Sequence, residues 1–374
     1  MPSVAIIGTR GYPSYYGGFE TAVRKLAPYL ANDGWDVTVY GRPNASRLED
    51  HTRDPRIRLV ETFGFETKSL STLSFGLTSA IHAARHKPDV ALVMNCANGF
   101  WLPILKHAGV PTLINVDGIE WDRAKWGPVA KWVFRTGATW TARHGTSLVF
   151  DAKEIARRWE EDFRRRGHFI PYGGDTVEAD LPIEPGLKHR EYVLMVARFV
   201  PENTVPQFFD AALMIAKHTD VVIVGSSGYG GELDERASKL AELNPRIHWL
   251  GHVSDDARLL SLWQHAGVYF HGHSVGGTNP ALVQAMAAGA PIVARDTAYN
   301  REVLANGWFV EADPHAIAET VASVLQDQGG MDRHAEHNIR RAAEHYSWSN
   351  VNTAYASTLL SLLQVQRAHQ DAKD

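Results

Sequence analysis

Hydrophobic residues fall along this chain in short runs rich in Val, Ile and Leu, separated by longer amphipathic stretches. The runs predict strands at residues 4–8, 35–41, 57–63, 89–95, 111–117 and 146–151, then at 192–198, 221–226, 247–252, 267–273 and 291–296. Several are apolar nearly throughout rather than alternating, the mark of strands covered on both faces of a parallel sheet. Helix-length segments between them include 19–33, 73–86, 122–144, 205–218 and 280–288. Strand–helix–strand alternation implies right-handed crossovers and an α/β class with doubly wound parallel sheets.

The length of 374 residues suits two domains. Gly, Pro and acidic residues cluster without periodicity at Pro171-Tyr172-Gly173-Gly174-Asp175 and again over 180–186, which is linker chemistry. The expected division is a first domain over 1–175, a second over 176–349, and a closing helix and polar tail over 350–374 that packs back on the first. The halves show no sequence repeat, yet both read as Rossmann-like sheets facing a cleft. With 38 Lys+Arg against 42 Asp+Glu, the formal net charge of −4 offers no broad basic face for nucleic acid. A single cysteine, Cys96, excludes an internal disulfide framework and a multi-cysteine metal site, and suits a reducing compartment. No apolar run approaches the ~20 residues of a membrane span. The opening residues read as a strand rather than a leader, so the expectation is a soluble cytoplasmic protein.

Three segments carry candidate chemistry. His271-Gly272-His273-Ser274-Val275-Gly276-Gly277-Thr278-Asn279-Pro280 runs from a strand end through a glycine turn into a helix. Thr278 or Asn279 is a good N-cap, and Pro280 at the first helical position wastes no donor. Such a helix start attracts phosphate, although an ordinary strand–turn–helix connection has the same glycines. Arg198 ends the first strand of the second half, where ligands of doubly wound sheets bind and where a planar guanidinium suits a diphosphate. Solvated surface arginines also occupy such places. The loop Gly8–Gly18 is too long for a dinucleotide fingerprint and reads as a wall of a site. His271 and His273 lack a third ligand of fitting spacing, so no metal site is expected.

Taken together, these segments resemble the family 4 retaining glycosyltransferases of GT-B fold, with a bacterial rhamnosyltransferase-like subgroup nearest. The resemblance covers essentially the whole chain. It rests on Gly8-Thr9-Arg10-Gly11 with Tyr16-Gly17-Gly18-Phe19-Glu20, on Asp117-Gly118-Ile119-Glu120-Trp121 with Lys125-Trp126, and on Arg198-x-Val200-Pro201-Glu202-Asn203. The glycine turn and Asn300-Arg301-Glu302-Val303 complete it. It implies a nucleotide-sugar donor, dTDP- or UDP-linked, on the second domain and a glycan or polyprenyl-linked acceptor on the first. Arg198 would contact the diphosphate, Asn203 would stand where a lysine is common, and Gly277, Thr278, Asn279 and Pro280 would shape the phosphate-facing helix start. Gly251, His252 and Val253 would read the base, and Gly17 and Gly18 would close over phosphates or sugar. Asp117 and Glu120 would orient hydroxyls or, equally, act as an N-cap and first-turn carboxylate. Glu302 would touch donor sugar or ribose, or form a structural ion pair.

Two glutamates usual in the family are Gly276 and Gln284 here. Gln284 brings no charge to a ribose, which tolerates a deoxyribose, and no histidine stands in Asn115-Val116-Asp117-Gly118 for a donor 6-hydroxyl. The expectation leans to L-rhamnose from dTDP-rhamnose; a UDP-hexose donor, or a module that binds nucleotide sugar without turnover, are the alternatives. No Asp-x-Asp occurs, so no cofactor or divalent ion is called for, and Arg198 with helix amides would neutralise the leaving group.

Residues 121–170 hold 11 Lys/Arg against 6 Asp/Glu, interleaved with tryptophans. This suits either an anionic membrane interface, with the protein at the inner face of the plasma membrane, or a solvated face over buried aromatics.

Overall fold

The computed structural model describes every residue except 16, 47–48, 67–70, 124–125, 178–179, 229 and 372–374, and except the side chains of 367 and 369–371. Tyr16 and Lys125, quoted above, lie outside the described residues. The chain divides into two units, Met1–Tyr172 with Trp348–Asp374, and Gly173–Ser347.

Unit 1 runs β1 (Ser3–Ile7), α1 (Gly18–Asn32), β2 (Asp36–Gly41), β3 (Arg58–Glu61), α2 (Ser71–His86), β4 (Val90–Met94), a 3₁₀ turn (Cys96–Trp101), α3 (Leu102–His107) and β5 (Thr112–Asn115). A second 3₁₀ turn (Glu120–Asp122), α4 (Pro128–His144), β6 (Ser147–Phe150), α5 (Lys153–Phe163) and β7 (His168–Phe169) follow. Its seven strands lie parallel in the order β3-β2-β1-β4-β5-β6-β7. All five residues of β4 are buried, as its unbroken Val-Ala-Leu-Val-Met run requires for a strand roofed on both sides.

Unit 2 contains β8 (Tyr192–Val196), a 3₁₀ turn (Pro201–Asn203), α6 (Val205–Ile215), β9 (Asp220–Val224), α7 (Glu232–Leu243), β10 (Ile247–Gly251), α8 (Asp256–His265) and β11 (Val268–His271). It continues through α9 (Pro280–Ala287), β12 (Ile292–Arg295), α10 (Ala298–Leu304), β13 (Trp308–Val310), α11 (Pro314–Gln326) and α12 (Gln328–His345). Six parallel strands take the order β10-β9-β8-β11-β12-β13. In each sheet the first strand therefore sits beside the fourth. That reversal of strand order makes the crevice outside the carboxyl ends of β1 and β4, and of β8 and β11, the natural place for a ligand.

α13 (Trp348–Asp371) belongs to unit 1. Trp348, Val351, Tyr355, Leu359 and Leu363 recur at helical spacing and enter the core that α1 and the first sheet build. At about 2 kcal/mol for each buried side chain, this stripe contributes on the order of 10 kcal/mol of apolar transfer. Asn115 Nδ2 donates to the Tyr355 hydroxyl at 2.8 Å, which fixes the register of the helix on the sheet.

Three local expectations need correction. The helix placed at 122–144 starts at Pro128. Asp122 instead closes a 3₁₀ turn, Gly127 is extended (φ −71°, ψ 169°), and Pro128, with its fixed φ, takes the first turn. The strand placed at 57–63 ends at Glu61, leaving Phe63 exposed. β7 and β13, two and three residues long, are too short to show periodicity and were not expected.

Candidate functional site

At the carboxyl edge of unit 2, backbone pairing continues past β8. Ala197 N–H donates to Val224 O at 3.0 Å and Phe199 N–H to Ser226 O at 3.0 Å. The Arg198 carbonyl is held from two sides, by Val200 N–H at 2.9 Å and by the Asn203 side-chain amide at 3.0 Å. The Arg198 side chain is exposed. Asn203 is buried, and its side-chain amide holds that backbone carbonyl.

The glycine turn after β11 is laced to the same loop. Ser274 donates to Glu202 O through its N–H at 3.0 Å and its hydroxyl at 2.7 Å, and Thr204 Oγ1 donates to Gly272 O at 2.5 Å. A Cβ on Gly272 would meet Asn203 O at 2.4 Å, so only glycine permits this approach. Gly276 takes φ +107°, a conformation that side chains rarely adopt. Asn279 is the N-cap of α9, accepting Ala281 N–H at 3.0 Å, and Pro280 opens the helix. Gly277 is half-buried and Thr278 buried in the turn just before it. The loop after β12 joins this edge too, because Asn300 Nδ2 donates to His273 O at 3.0 Å and to Arg295 O at 2.8 Å. Adjacent strands thus bring Arg198 and the positive end of the α9 dipole to one edge, an arrangement suited to an anion.

Other expected residues lie apart from this group. Gly251, at the end of β10 on the edge of the sheet, has φ +64° and open space where a side chain would be; His252 is exposed and Val253 buried. Glu302 sits half-buried on α10, its carbonyl accepting Arg341 Nη2 at 2.9 Å. Gln284 is turned to the segment that enters unit 2. Its Oε1 accepts Asp175 N–H at 2.9 Å and its Nε2 donates to Asp175 O at 2.9 Å. Its expected ribose-facing role therefore competes with a backbone clamp.

His271 is fully buried, its Nδ1 lies 3.0 Å from the Tyr269 hydroxyl, and its ring stacks on His273 at 4.5 Å. Burial holds it well below the usual histidine range, with His273 adding to the effect. Among the described residues no three His, Cys, Asp or Glu side chains cluster in a way that could hold a metal ion.

The carboxyl edge of unit 1 is built differently. A Cβ on Gly8 (φ +97°) would meet Met94 O at 2.4 Å, so the loop after β1 lies tight against β4. Glu20 is buried and accepts Arg10 N–H at 3.1 Å, folding that loop onto α1; sequence reasoning quoted Glu20 without giving it a role. Gly17 caps α1 without a side chain and Gly18 begins it. Asp117, at φ +64° beyond β5, accepts Asn95 Nδ2 at 3.0 Å and is no helix cap. Glu120 is 3% exposed and binds Arg123 Nη1 with one oxygen and Trp126 Nε1 with the other, at 2.8 Å, so it builds the turn before α4. Burial pushes the Tyr172 phenol far up, reinforced by the charges of Asp117, Asp151 and Glu20.

The tryptophans and cations of 121–170 also separate. Trp121 and Trp159 are core residues packed edge-on at 6.2 Å. On α5, Arg157 pairs with Glu154 and Glu161 and Arg158 with Asp122, while Arg166, beyond the end of the helix, pairs with Glu160. Among the described tryptophans of this stretch, Trp132 and Trp140 of α4 are the exposed ones.

Residues 179–345 match the family Glycosyl transferases group 1, and residues 17–173 match the Glycosyl transferase 4-like domain. The chain is similar to the phosphatidyl-myo-inositol mannosyltransferase of Mycolicibacterium smegmatis, 32% identical over 215 residues, 53% of each chain. It is also similar to spore coat protein SA of Bacillus subtilis, 25% identical over 258 residues, 61% of this chain and 60% of that one. The chain spans little more than half the length of these curated relatives. Among solved structures, a sucrose-phosphate synthase from Thermosynechococcus elongatus superposes with TM-score 0.78 at 17% identity, covering 98% of this chain and all of that one. Anabaena HepE in complex with UDP-glucose gives 0.75 at 16%, covering 96% and 99%. At these identities the structural likeness concerns the fold.

Proposed function

This chain belongs to the group 1 glycosyltransferases of GT-B fold, and on that premise we propose that it moves a hexosyl group from a nucleoside diphosphate to a glycan or polyprenyl-linked acceptor, with retention and without a divalent ion. The observation that carries the reading is the edge of unit 2 where Arg198 and the capped start of α9 meet on adjacent strands. There the guanidinium and the turn formed by Gly277, Thr278, Asn279 and Pro280 stabilise the negative charge that grows on the departing diphosphate. As the anomeric C–O bond breaks, the acceptor hydroxyl attacks from the same face and passes its proton to the leaving phosphate oxygen. No protein nucleophile is needed. Gly251, His252 and Val253 bear on the base, and Gly17, Gly18 and Asp117 on the sugar or acceptor; Glu302 bears on the donor sugar. Glu120 acts at one remove, by holding the turn beyond β5.

For the donor, L-rhamnose from dTDP-rhamnose remains the first reading, because Gln284 is committed to Asp175 and supplies no carboxylate for a ribose diol. A second reading, a mannosyl or glucosyl donor, is favoured by the mannosyltransferase relatives and by the fold neighbour that holds UDP-glucose. An acceptor carried on a lipid would bring unit 1 to the cytoplasmic surface of an anionic membrane.

A panel of dTDP-, UDP- and GDP-sugars, scored by donor hydrolysis and by transfer, tests the reading. Turnover with dTDP-rhamnose that persists in EDTA supports it, and preference for a UDP- or GDP-hexose selects the second donor. Loss of turnover in EDTA overturns the metal-free mechanism. Tight nucleotide binding with no hydrolysis or transfer from any donor overturns the enzyme reading itself.

A further inference from the structure

The helices that follow β3, β4 and β5 form one contiguous layer on unit 1, and that layer carries no acid. Residues 71–86, 96–107 and 128–144, which make up α2, the 3₁₀ turn with α3, and α4, contain no Asp or Glu at all, in a chain with 42 of them. Each of the three helices ends in a cation followed by histidine: Arg85-His86, Lys106-His107 and Arg143-His144. A basic last turn complements the helix dipole, which accounts for those ends taken singly. It does not account for the missing carboxylates along the rest of the layer, nor for its exposed apolar groups.

On α4, Val129 and Trp132 are 76% and 66% exposed, and Trp140 is 39% exposed, all on one side of the helix with Arg143. Phe63 and Phe65, 71% and 58% exposed, pack edge to face at 5.6 Å beside the start of α2; Thr78 Oγ1 donates to Phe63 O at 2.6 Å and Phe65 N–H to Ser74 Oγ at 2.9 Å. Between α2 and α3 lies an apolar groove of about 540 Å³, floored by Ile81, Ala84, Pro103 and Ile104 and edged by Arg85 and His107. Arg85, Lys106 and Arg143 have no ion-pair partner among the described residues, whereas Arg135 is bound to Asp162 of α5. The neighbouring α5 shows the contrast, because its cations are neutralised within the helix and by Asp122.

We propose that the α2–α3–α4 layer is the face that seats unit 1 on an anionic lipid bilayer, its aromatic side chains entering the headgroup region and Arg85, Lys106 and Arg143 meeting lipid phosphates. Charge complementarity selects this occupant. A surface of uniform negative charge is matched by helices whose charged side chains are all cationic, while a protein partner would be matched by mixed charges. Amphipathic rings and arginines at such an interface combine apolar burial with attraction to anionic lipid. The inference deepens the membrane contact proposed above and rests on that reading for its purpose.

Flotation of the full chain with phosphatidylcholine vesicles, with and without phosphatidylglycerol, reads the contact directly. Binding is expected only with the anionic lipid and is expected to weaken with added salt. Each cation near such a surface contributes roughly a factor of five, so Arg85→Glu with Lys106→Glu and Arg143→Glu lowers partitioning by about a hundredfold or more. Trp132→Ala with Trp140→Ala also lowers it, while Arg157→Glu on α5 leaves it unchanged. All these positions are exposed, so circular dichroism and donor hydrolysis are expected to match the unaltered chain. Equal flotation with neutral and anionic vesicles, or undiminished flotation of the triple variant, overturns the proposal. Loss of donor hydrolysis in the unaltered chain would instead count against the catalytic reading and leave the flotation result standing.

Discussion

The two sheets share one strand order and carry opposite chemistry at the same edge. In unit 2, the loops beyond β8, β11 and β12 are laced together by Asn203, Thr204, Ser274 and Asn300, and what they present is an arginine and a helix start. In unit 1, the corresponding edge holds Glu20 on Arg10 N–H and Asp117 on the Asn95 amide, with Glu120 fixing the next turn. A doubly wound sheet thus specifies where a ligand sits, and the loop residues specify its charge. One edge offers a guanidinium and a helix start, the other carboxylates.

That contrast can be broken most severely at Arg198. Arg198→Ala is expected to lower kcat by about 10²–10³-fold, with Arg198→Lys intermediate, since the diphosphate loses its cation. Steady-state kinetics with the preferred donor measures this, and near-normal turnover would remove Arg198 from the site. At the other edge, Glu120→Ala leaves Arg123 and the Trp126 indole without their acceptor in a buried turn. A loss of about 3–5 kcal/mol, read by urea unfolding, is expected. If Glu120 acts on substrate instead, the variant would keep its stability and lose turnover.

Acid sharpens the comparison next. His334, buried in unit 2, lies 3.3 Å from Ile292 N–H through Nδ1, and burial holds it down to about 4. Below pH 6.5 the unfolded chain takes up a proton that the folded chain refuses. The stabilisation is therefore complete above about pH 6.5 and declines towards pH 4, by roughly 3 kcal/mol. Replacing His334 with Gln should flatten the urea midpoint across that window. The smallest effect expected is that of Gln284→Ala, which removes two hydrogen bonds to Asp175 and costs about 1–2 kcal/mol in the same assay. Gln284→Glu keeps the acceptor but sets a carboxylate oxygen against Asp175 O, so it should also loosen this clamp rather than simply restore a charge.

Much of the scaffold was legible in the sequence because buried parallel strands are written as unbroken apolar runs, and because Asn279-Pro280 spells a capped helix start locally. What escaped depended on distant partners. Nothing near Gln284 announces Asp175, 109 positions away. Glu120 and Asp122 look like the opening of a long helix until Gly127 and Pro128 are seen to begin it later. The basic, tryptophan-rich stretch showed how composition blurs burial. Trp121 and Trp159 proved to be core and α5 self-neutralised, while the acid-free face emerged only when topology set α2, α3 and α4 side by side.

The return of α13 to unit 1 has a consequence for how the polypeptide matures. Unit 2 is continuous in sequence and can close as soon as it leaves the ribosome, whereas unit 1 must wait until residues 348–363 emerge to roof the side of its core beside α1. During that interval Leu26, Leu30 and Tyr355's future neighbours stand open to water, so the first half synthesised is the second to finish, and nascent chains stalled before Trp348 are the ones that chaperones would have to shield.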